Sequence, residues 1–382
     1  MAPVAESDAA ERTVRDRRSR SRSTCRRRVA PKDVPHFAWE KGMPLGAGDR
    51  YIVQRLLGDG TFGRVLLCRD KVAGVDVAIK VIKDDPEFRR HAECEAEVLR
   101  EIGELKSPCR QLCVQLHDTF LHCRRHRCLV FEPLGGNLRS FLKANKNLGL
   151  CIEDVRSMSK QLLDCIAFLH EASLIHTDLK SRNVLLRRSD YTLHPHPRVA
   201  GEQVMRPTST EIVVVDFGSA VYTDDHSSGV VCTRQYRPPE VVLGLDWTEK
   251  VDVWSIACIV AMLYTGRRPF SVHEDMEHLA MIEQFIGAKL PTALCKQALA
   301  EGRLPEGVHF NPDATIAWPG SIGTEEAVAR VHEVLPLRKV VEKRDKAFLR
   351  LLQSLFVIDP DKRISAREAL KHQFFHVESG GP

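Results

Sequence analysis

The stretch His176-Thr177-Asp178-Leu179-Lys180-Ser181-Arg182-Asn183, with Asp216-Phe217-Gly218 beginning 33 residues after Asn183, constrains this chain more than any other. It gathers a candidate base (Asp178), a candidate phosphate-contacting lysine (Lys180) and two candidate magnesium ligands (Asn183 and Asp216) in one region. Phosphoryl transfer needs such parts, because its catalysis is mostly positioning plus neutralisation of charge on the moving group. Alone, a His-x-Asp or an Asp-Phe-Gly is common and usually structural. The weight therefore rests on what surrounds them.

The chain has 382 residues, enough for one large domain or two lobes with separate cores. Its longest apolar stretch, Val251 to Tyr264, contains Asp252 and falls short of the roughly 20 residues that span a bilayer. The N-terminus is polar and Arg-rich rather than apolar, so no secretory signal is expected, and the twelve cysteines read as reduced thiols of an intracellular protein. Residues 1–30 hold nine arginines, no lysine and four acids, which accounts for the whole net charge of +5. The basicity belongs to a tail, and the neutral remainder argues against a nucleic-acid surface on the folded part. The tail, residues 1–35, lacks apolar periodicity and is expected to be disordered; its Arg runs suit nuclear localisation or docking.

From Tyr51 the pattern is β-rich. Tyr51 to Leu57 and Arg64 to Cys68 flank a Gly-rich turn, and Val75 to Ile82 is a further strand. Helical spacing begins near Pro86, with Phe88, Ala92, Ala96 and Leu99 on one face. Leu129 to Phe131 is a short apolar run before Gly135-Gly136. Helical patterns then cover Val155 to Leu169, Val251 to Tyr264, His278 to Ile286 and Ala347 to Leu355. A strand-rich front and a helix-rich back predict an α+β architecture of two lobes. The polar segment 187–210, with three prolines, reads as an extended surface insertion.

Leu57-Gly58-Asp59-Gly60-Thr61-Phe62-Gly63-Arg64-Val65 fits G-x-G-x-x-G-x-V, where glycines let a hairpin backbone approach phosphates. A dinucleotide-binding turn would be followed by a helix, whereas a strand pattern follows here. Val77-Ala78-Ile79-Lys80 comes next, so Lys80 stands within an apolar strand and needs a carboxylate to hold it. Glu95 is the chosen partner; Glu93 and Glu97 better fit a solvated face. The ordered set of Gly-rich loop, Lys80, Glu95, Asp178, Asn183 and Asp216 is highly specific.

With these motifs the chain resembles a eukaryotic protein kinase over residues 51–375, and more closely the LAMMER, or Cdc2-like, kinases. That closer likeness rests on His176-Thr177-Asp178, on Glu277 to Gly287, on Thr233-Arg234-Gln235-Tyr236-Arg237 and on Ser189-Asp190-Tyr191-Thr192. Without the likeness, Glu277 to Gly287 is simply an amphipathic helix with Leu279, Ile282 and Ile286 on one face. The resemblance implies a bilobal protein-kinase fold: a lead-in at 36–50, a small β-rich N-lobe at about 51–134, a larger helical C-lobe at about 135–375, an ATP cleft between them, and a tail at 376–382. It makes Phe131 the gatekeeper and Glu132 to Leu134 the hinge, with Val65, Ala78, Leu185 and Val215 around the adenine. Arg237-Pro238-Pro239-Glu240 would end the activation segment, Arg363 would pair with Glu240, and Asp252 would brace the catalytic loop.

The resemblance further implies ATP and Mg2+ as cofactors, protein substrates, a monomeric catalytic domain, no membrane attachment and no nucleic-acid binding by the kinase domain. It implies a nuclear location, with the cytoplasm as a second compartment. Its substrates would be nuclear proteins, Arg/Ser-rich splicing factors or chromosome-segregation proteins, with autophosphorylation on tyrosine. Two departures stand out. Thr177 replaces the Arg that in many kinases binds a loop phosphate, so activity is expected without phosphorylation of Thr223, Ser227, Ser228 or Thr233. Ser181-Arg182 stands where relatives carry Pro-Glu, so Arg182 favours acidic or phosphorylated substrates by charge complementarity. The rivals are a pseudokinase scaffold, which usually loses a catalytic residue, and an RNA-binding protein acting through the tail. Zinc at Cys109, Cys113, Cys123 and Cys128 is disfavoured by their spacing.

Overall fold

Period-two alternation in the front third of the chain builds a six-stranded antiparallel sheet. In the computed structural model, residues 34–225, 229–271, 274–320 and 323–376 are described. The Arg-rich tail to residue 33, the loop serines Ser227 and Ser228, and residues 377–382 lie outside the described residues. The chain divides into two units: one runs to Leu134 and takes in Asp216–Val221, the other comprises Gly135–Val215 and continues from Tyr222.

The first unit contains β1 (Pro44–Leu45), β2 (Tyr51–Asp59), β3 (Gly63–Asp70), β4 (Val75–Ile82), β5 (Leu116–His122) and β6 (His126–Phe131), in the order β1-β2-β3-β4-β6-β5. On β4, Val77, Ile79 and Val81 enter a core with Leu66, Cys68 and Val130, and the lead-in residues Phe37, Trp39 and Met43 pack against it. Side chains alternate across a strand, so Ala78 and Lys80 take the opposite face. Helix α1 (Pro86–Glu104) packs against β4, β5 and β6. It starts where Asp85 accepts from the N–H groups of Glu87 (2.8 Å) and Phe88 (3.2 Å), with Pro86 in the first turn where its missing N–H costs nothing. Phe88, Ala92, Ala96 and Leu99 are all buried, each large one contributing roughly 1.5–3 kcal/mol.

The second unit is mainly helical: α2 (Leu138–Ala144), α3 (Ile152–Glu171), α4 (Pro239–Val242), α5 (Lys250–Thr265), α6 (Asp275–Ile286), α7 (Thr292–Glu301), α8 (Glu325–Glu333), α9 (Leu337–Val340), α10 (Lys346–Leu355) and α11 (Ala366–Ala369). Short strands β7 (Leu174–Ile175), β8 (Val184–Leu186) and β11 (Ile212–Val214) lie among them, with β8 antiparallel to β11. Every residue from Val251 to Tyr264 is buried, as a helix apolar on all sides must be. That helix packs against α3 and stops at Gly266, whose φ of 78° and lack of a Cβ let it pass the Asn147 carbonyl.

Two observations depart from expectation. Segment 187–210 contains a paired hairpin, β9 (Tyr191–Pro195) with β10 (Gln203–Pro207). All five residues of β9 are exposed, while on β10 Arg206 pairs with Asp154 at 2.7 Å and Val204 is fully buried. Helix α6 is buried on nearly every side rather than along one face, because Glu277 pairs with Arg330 (2.6 Å) and Glu283 accepts from the Leu290 N–H (2.9 Å). Among the described residues, ten cysteines are free thiols.

Three buried polar side chains in the second unit behave in opposite ways. Arg363 and Glu240, both fully buried, form a two-pronged pair at 2.8 and 2.9 Å. Removing one partner of such a pair costs about 3–5 kcal/mol, because the other charge is stranded. His278 on α6 is also fully buried, and neither ring nitrogen has a hydrogen-bond partner among the described residues. Burial, then the Arg237 and Arg234 charges, pushes its pKa down to about 3 from 6.5. The unfolded chain therefore takes up a proton as pH falls below 6.5 while the folded chain does not, so stability is lost on acidification through that window. Between about pH 7 and pH 5 the unfolding midpoint of the wild type should fall more steeply than that of His278→Met. Parallel slopes in a melting series would contradict this.

Candidate active site

The glycine-rich turn is tight for only one of its three glycines. A Cβ on Gly63 would meet the Val81 carbonyl oxygen at 2.2 Å, so the β3–β4 pairing itself demands glycine there. Gly58 has nothing within 4 Å of such a Cβ, and Gly60 only the Gly63 carbonyl at 3.6 Å. The chain does not need glycine at these two positions, so what they spare is room for a ligand outside it. A phosphate chain fits that room, since bare backbone lets phosphates approach closely.

Lys80 extends from β4 toward α1. Its ammonium lies 2.7 Å from Glu95 Oε2 and 3.2 Å from Asp216 Oδ1. Burial disfavours the charge on Lys80, but the two carboxylates outweigh it and hold its pKa above the ordinary value. Glu95 is buried, whereas Glu93 faces solvent and pairs with Arg127, and Glu97 is exposed. Asp216 has a left-handed backbone, φ 70°, and the turn after it, Phe217–Ser219, packs against α1 with Phe217 buried. His91 on α1 donates from Nδ1 to the Gly218 carbonyl at 3.2 Å. Beside them, Phe131 lies opposite Ala78 in the β4–β6 register and Val65 opposite Lys80 in β3–β4. Leu57 and Asp59 sit on β2, Thr61 and Phe62 in the turn, and Glu132 and Leu134 after β6.

In the second unit the Asp178 carboxylate is held at both oxygens. Thr233 donates to Oδ1 from its N–H (3.0 Å) and its hydroxyl (2.7 Å), and Lys180 donates to Oδ2 at 2.6 Å. Asn183 Nδ2 donates to the Asp178 carbonyl at 3.0 Å. His176 donates from Nε2 to the Val215 carbonyl and accepts the Asp178 N–H at Nδ1, which fixes its tautomer. Leu185 pairs with Val213 in the β8–β11 ladder, and the Val215 N–H binds the Asn183 carbonyl at 2.9 Å.

The loop carrying Asp178 is anchored by Asp252 at the start of α5. Its fully buried carboxylate accepts the N–H groups of His176 (2.8 Å) and Thr177 (3.0 Å) and the His170 Nε2 (3.0 Å). Thr177 has φ 62°, a costly backbone for a β-branched residue, and persists because its surroundings hold it. The next anchor is missing from the sequence reading. Thr233, a loop residue whose phosphorylation is not expected to be required, is bonded to Asp178, and Tyr236 OH lies 2.9 Å from the Ser181 hydroxyl. The only signal for either was the motif Thr233 to Arg237.

The candidate residues thus fall into two sets. Lys80, Glu95 and Asp216 meet in the first unit with the glycine turn; Asp178, Lys180 and Asn183 meet in the second. Asn183 and Asp216 carry the hard oxygen donors that Mg2+ prefers. Among the described residues no cluster of three or more His, Cys, Asp or Glu could hold a metal, and Cys128 lies in the sheet core with its thiol pKa pushed up to about 12 by burial.

Residues 51–375 match the protein kinase domain family, and with this fold they define a protein kinase. The crystal structure of the PF14_0431 kinase domain superposes with a TM-score of 0.83 at 36% identity, over 89% of this chain and 98% of that one. The serine/threonine-protein kinase AFC2 of Arabidopsis thaliana is 36% identical over 89% of this chain and 79% of its own length. The dual specificity protein kinase CLK1 of Mus musculus is 36% identical over 94% and 71%, and the dual specificity protein kinase lkh1 of Schizosaccharomyces pombe 38% identical over 86% and 47%. The chain belongs to the LAMMER, or Cdc2-like, protein kinases.

Asp252→Asn keeps an acceptor oxygen but turns an NH2 group toward backbone donors. We expect it to lose about 2–4 kcal/mol of stability and about a hundredfold in turnover. Denaturant unfolding and initial rates check this, and a variant as stable and active as wild type would refute it.

Proposed function

We propose that this protein kinase transfers the γ-phosphate of ATP to Ser and Thr hydroxyls of nuclear proteins, with Asp178 as the group that accepts the substrate's hydroxyl proton. The observation that carries this is the Asp178 carboxylate, oriented by Thr233 and neutralised by Lys180. Lys180 offsets charge on the transferred phosphoryl group, and Lys80, steadied by Glu95, holds the α- and β-phosphates. Asn183 and Asp216 would hold Mg2+. Bound there, it would supply positive charge that offsets the charge of the phosphates. Gly58 and Gly60 leave the backbone bare for the phosphates, and Val65, Ala78, Leu185, Val215, Phe131 and the stretch Glu132 to Leu134 take the adenine. A pseudokinase scaffold fits poorly, since Lys80, Glu95, Asp178, Asn183 and Asp216 are all present. Autophosphorylation on tyrosine is part of the same reading.

Arg182 tunes the substrate. It is exposed and forms no ion pair with a described residue, so it favours acidic or phosphorylated neighbours of the acceptor hydroxyl. A peptide-library assay tests roles and preference together. Asp178→Asn should reduce turnover by about a thousandfold on every peptide. Arg182→Glu should keep turnover on neutral peptides and move preference toward Arg-rich ones. An active Asp178→Asn enzyme sinks the base assignment, and an unchanged profile in Arg182→Glu sinks the preference.

The bonds around Thr177 support activity without a loop phosphate. Its carbonyl accepts the Cys232 N–H at 3.0 Å, and Arg237 donates to the carbonyls of Val231 and Cys232. Those bonds hold the end of the activation segment through backbone atoms. Phosphatase-treated enzyme should therefore keep most of its initial rate. Loss of nearly all activity, restored by phosphorylating one loop residue, would overturn this.

A further inference from the structure

A groove in the second unit, lined by none of the residues from His176 to Asn183, has a volume of about 540 Å3. That volume suits the anchor side chains of a bound segment. Its floor is apolar, with Leu148, Ala261, Tyr264, Met281 and Phe285. Two more apolar side chains at the lining are left in water: Leu335 is 58% exposed and Val199 37%. A floor and a rim of this kind favour an occupant that brings apolar side chains of its own.

The charge of the lining is one-sided. Five cations, Arg198, Arg267, Arg268, Arg330 and Lys339, face two carboxylates, Glu333 and Glu342. Two of the cations are committed to the fold. Arg330 pairs with Glu277, and Arg198 stacks on the Tyr264 ring at 4.1 Å and donates to the carbonyls of Leu150 and Tyr264. Glu342 is taken by Arg344 at 2.7 Å. Arg267, Arg268 and Lys339 are exposed and form no ion pair or side-chain hydrogen bond with a described residue. Their charge is available to a ligand.

The wall on the β9–β10 side is already built. His196 accepts the N–H groups of Arg198 (3.0 Å) and Val199 (2.9 Å) at Nδ1 and donates from Nε2 to the Leu148 carbonyl (3.0 Å). A preformed wall lowers the ordering cost of binding. The occupant's charge follows from complementarity. The chain's own Arg-rich tail, at +5 over residues 1–30, is excluded by like charge. Nucleic acid would use the cations but leave the floor unfilled.

We propose that this groove docks an acidic linear segment of a partner protein, with apolar side chains on the floor and carboxylates or phosphates against Arg267, Arg268 and Lys339. A kinase with such a groove recruits acidic proteins at a surface other than the one that binds the acceptor hydroxyl. The docking surface is independent of the catalytic assignments, because binding is measured without nucleotide.

Fluorescence anisotropy on the full chain tests it, using a short labelled peptide of leucines spaced among aspartates. Controls replace the aspartates by lysine or the leucines by serine, and an RNA oligonucleotide serves as competitor. The acidic apolar peptide should bind, and both control peptides should bind at least about tenfold more weakly. Arg267→Glu combined with Arg268→Glu should weaken binding about tenfold, as should Leu335→Asp, while both variants keep wild-type rates on a short neutral substrate. If one variant does not fold, as read by its melting curve, the other decides. The proposal fails if the acidic peptide does not bind, if the folded variants bind it as wild type does, or if RNA displaces it from the groove.

Discussion

The carboxylate of Asp252 is the constraint on which the catalytic loop depends. It sits at the start of a helix with no exposed residue between Val251 and Tyr264, so it cannot move without the core of the second unit moving. Three donors from the loop and from α3 converge on it. Without the Asp252 carboxylate, the N–H groups of His176 and Thr177 would lose their acceptor, each at about 1–3 kcal/mol. They also oppose the strain of Thr177, whose positive φ turns the chain so that Asp178 faces Thr233 and Lys180. The position of the candidate base is therefore set by a buried acid 74 residues further along the chain.

A different logic governs the first unit. Lys80 is one charge between two carboxylates, and neither its strand nor α1 alone would keep it there. Strand alternation puts Lys80 on the α1 side because Val77, Ile79 and Val81 are needed on the other. Helical spacing then selects Glu95 over its neighbours, since the same face buries Ala92, Ala96 and Leu99. The ion pair thus follows from two apolar patterns, one of period two and one of period 3.6. Its low-dielectric setting makes it strong only while both partners are present.

That dependence explains what could be read from residues alone. Lys80 and Glu95 were legible from the order of the motifs and the apolar pattern around them, and the helix around Asp252 from its unbroken apolar run. The hairpin Tyr191–Pro207 was not, because its strands carry few β-branched residues and are stabilised by Arg206 on Asp154 and Met205 on Asn145, contacts far apart in sequence. The burial of Glu277 and Glu283 in α6 was equally hidden, since a polar pattern reads as a solvated face until Arg330 and Leu290 supply partners. Thr233 illustrates the same limit at the site. A hydroxyl's partner is set by tertiary contact, and nothing local to residue 233 indicates Asp178.

Thr177 joins these strands of argument. Where an arginine would tie the loop to a phosphate, this chain ties it by backbone: Thr177 N–H to Asp252 on one side, Thr177 carbonyl to the Cys232 N–H on the other. Cys232 is followed at once by Thr233, so the bond that fixes the segment also delivers the hydroxyl that orients Asp178. Arg237 reinforces the same stretch from its far end. A phosphate-dependent tether can be removed by an enzyme; a peptide hydrogen bond in a buried loop cannot. If activity needs no loop phosphate, as proposed, recruitment of partner proteins is the step left to regulate, and the basic, apolar-floored groove proposed as a docking surface would serve it.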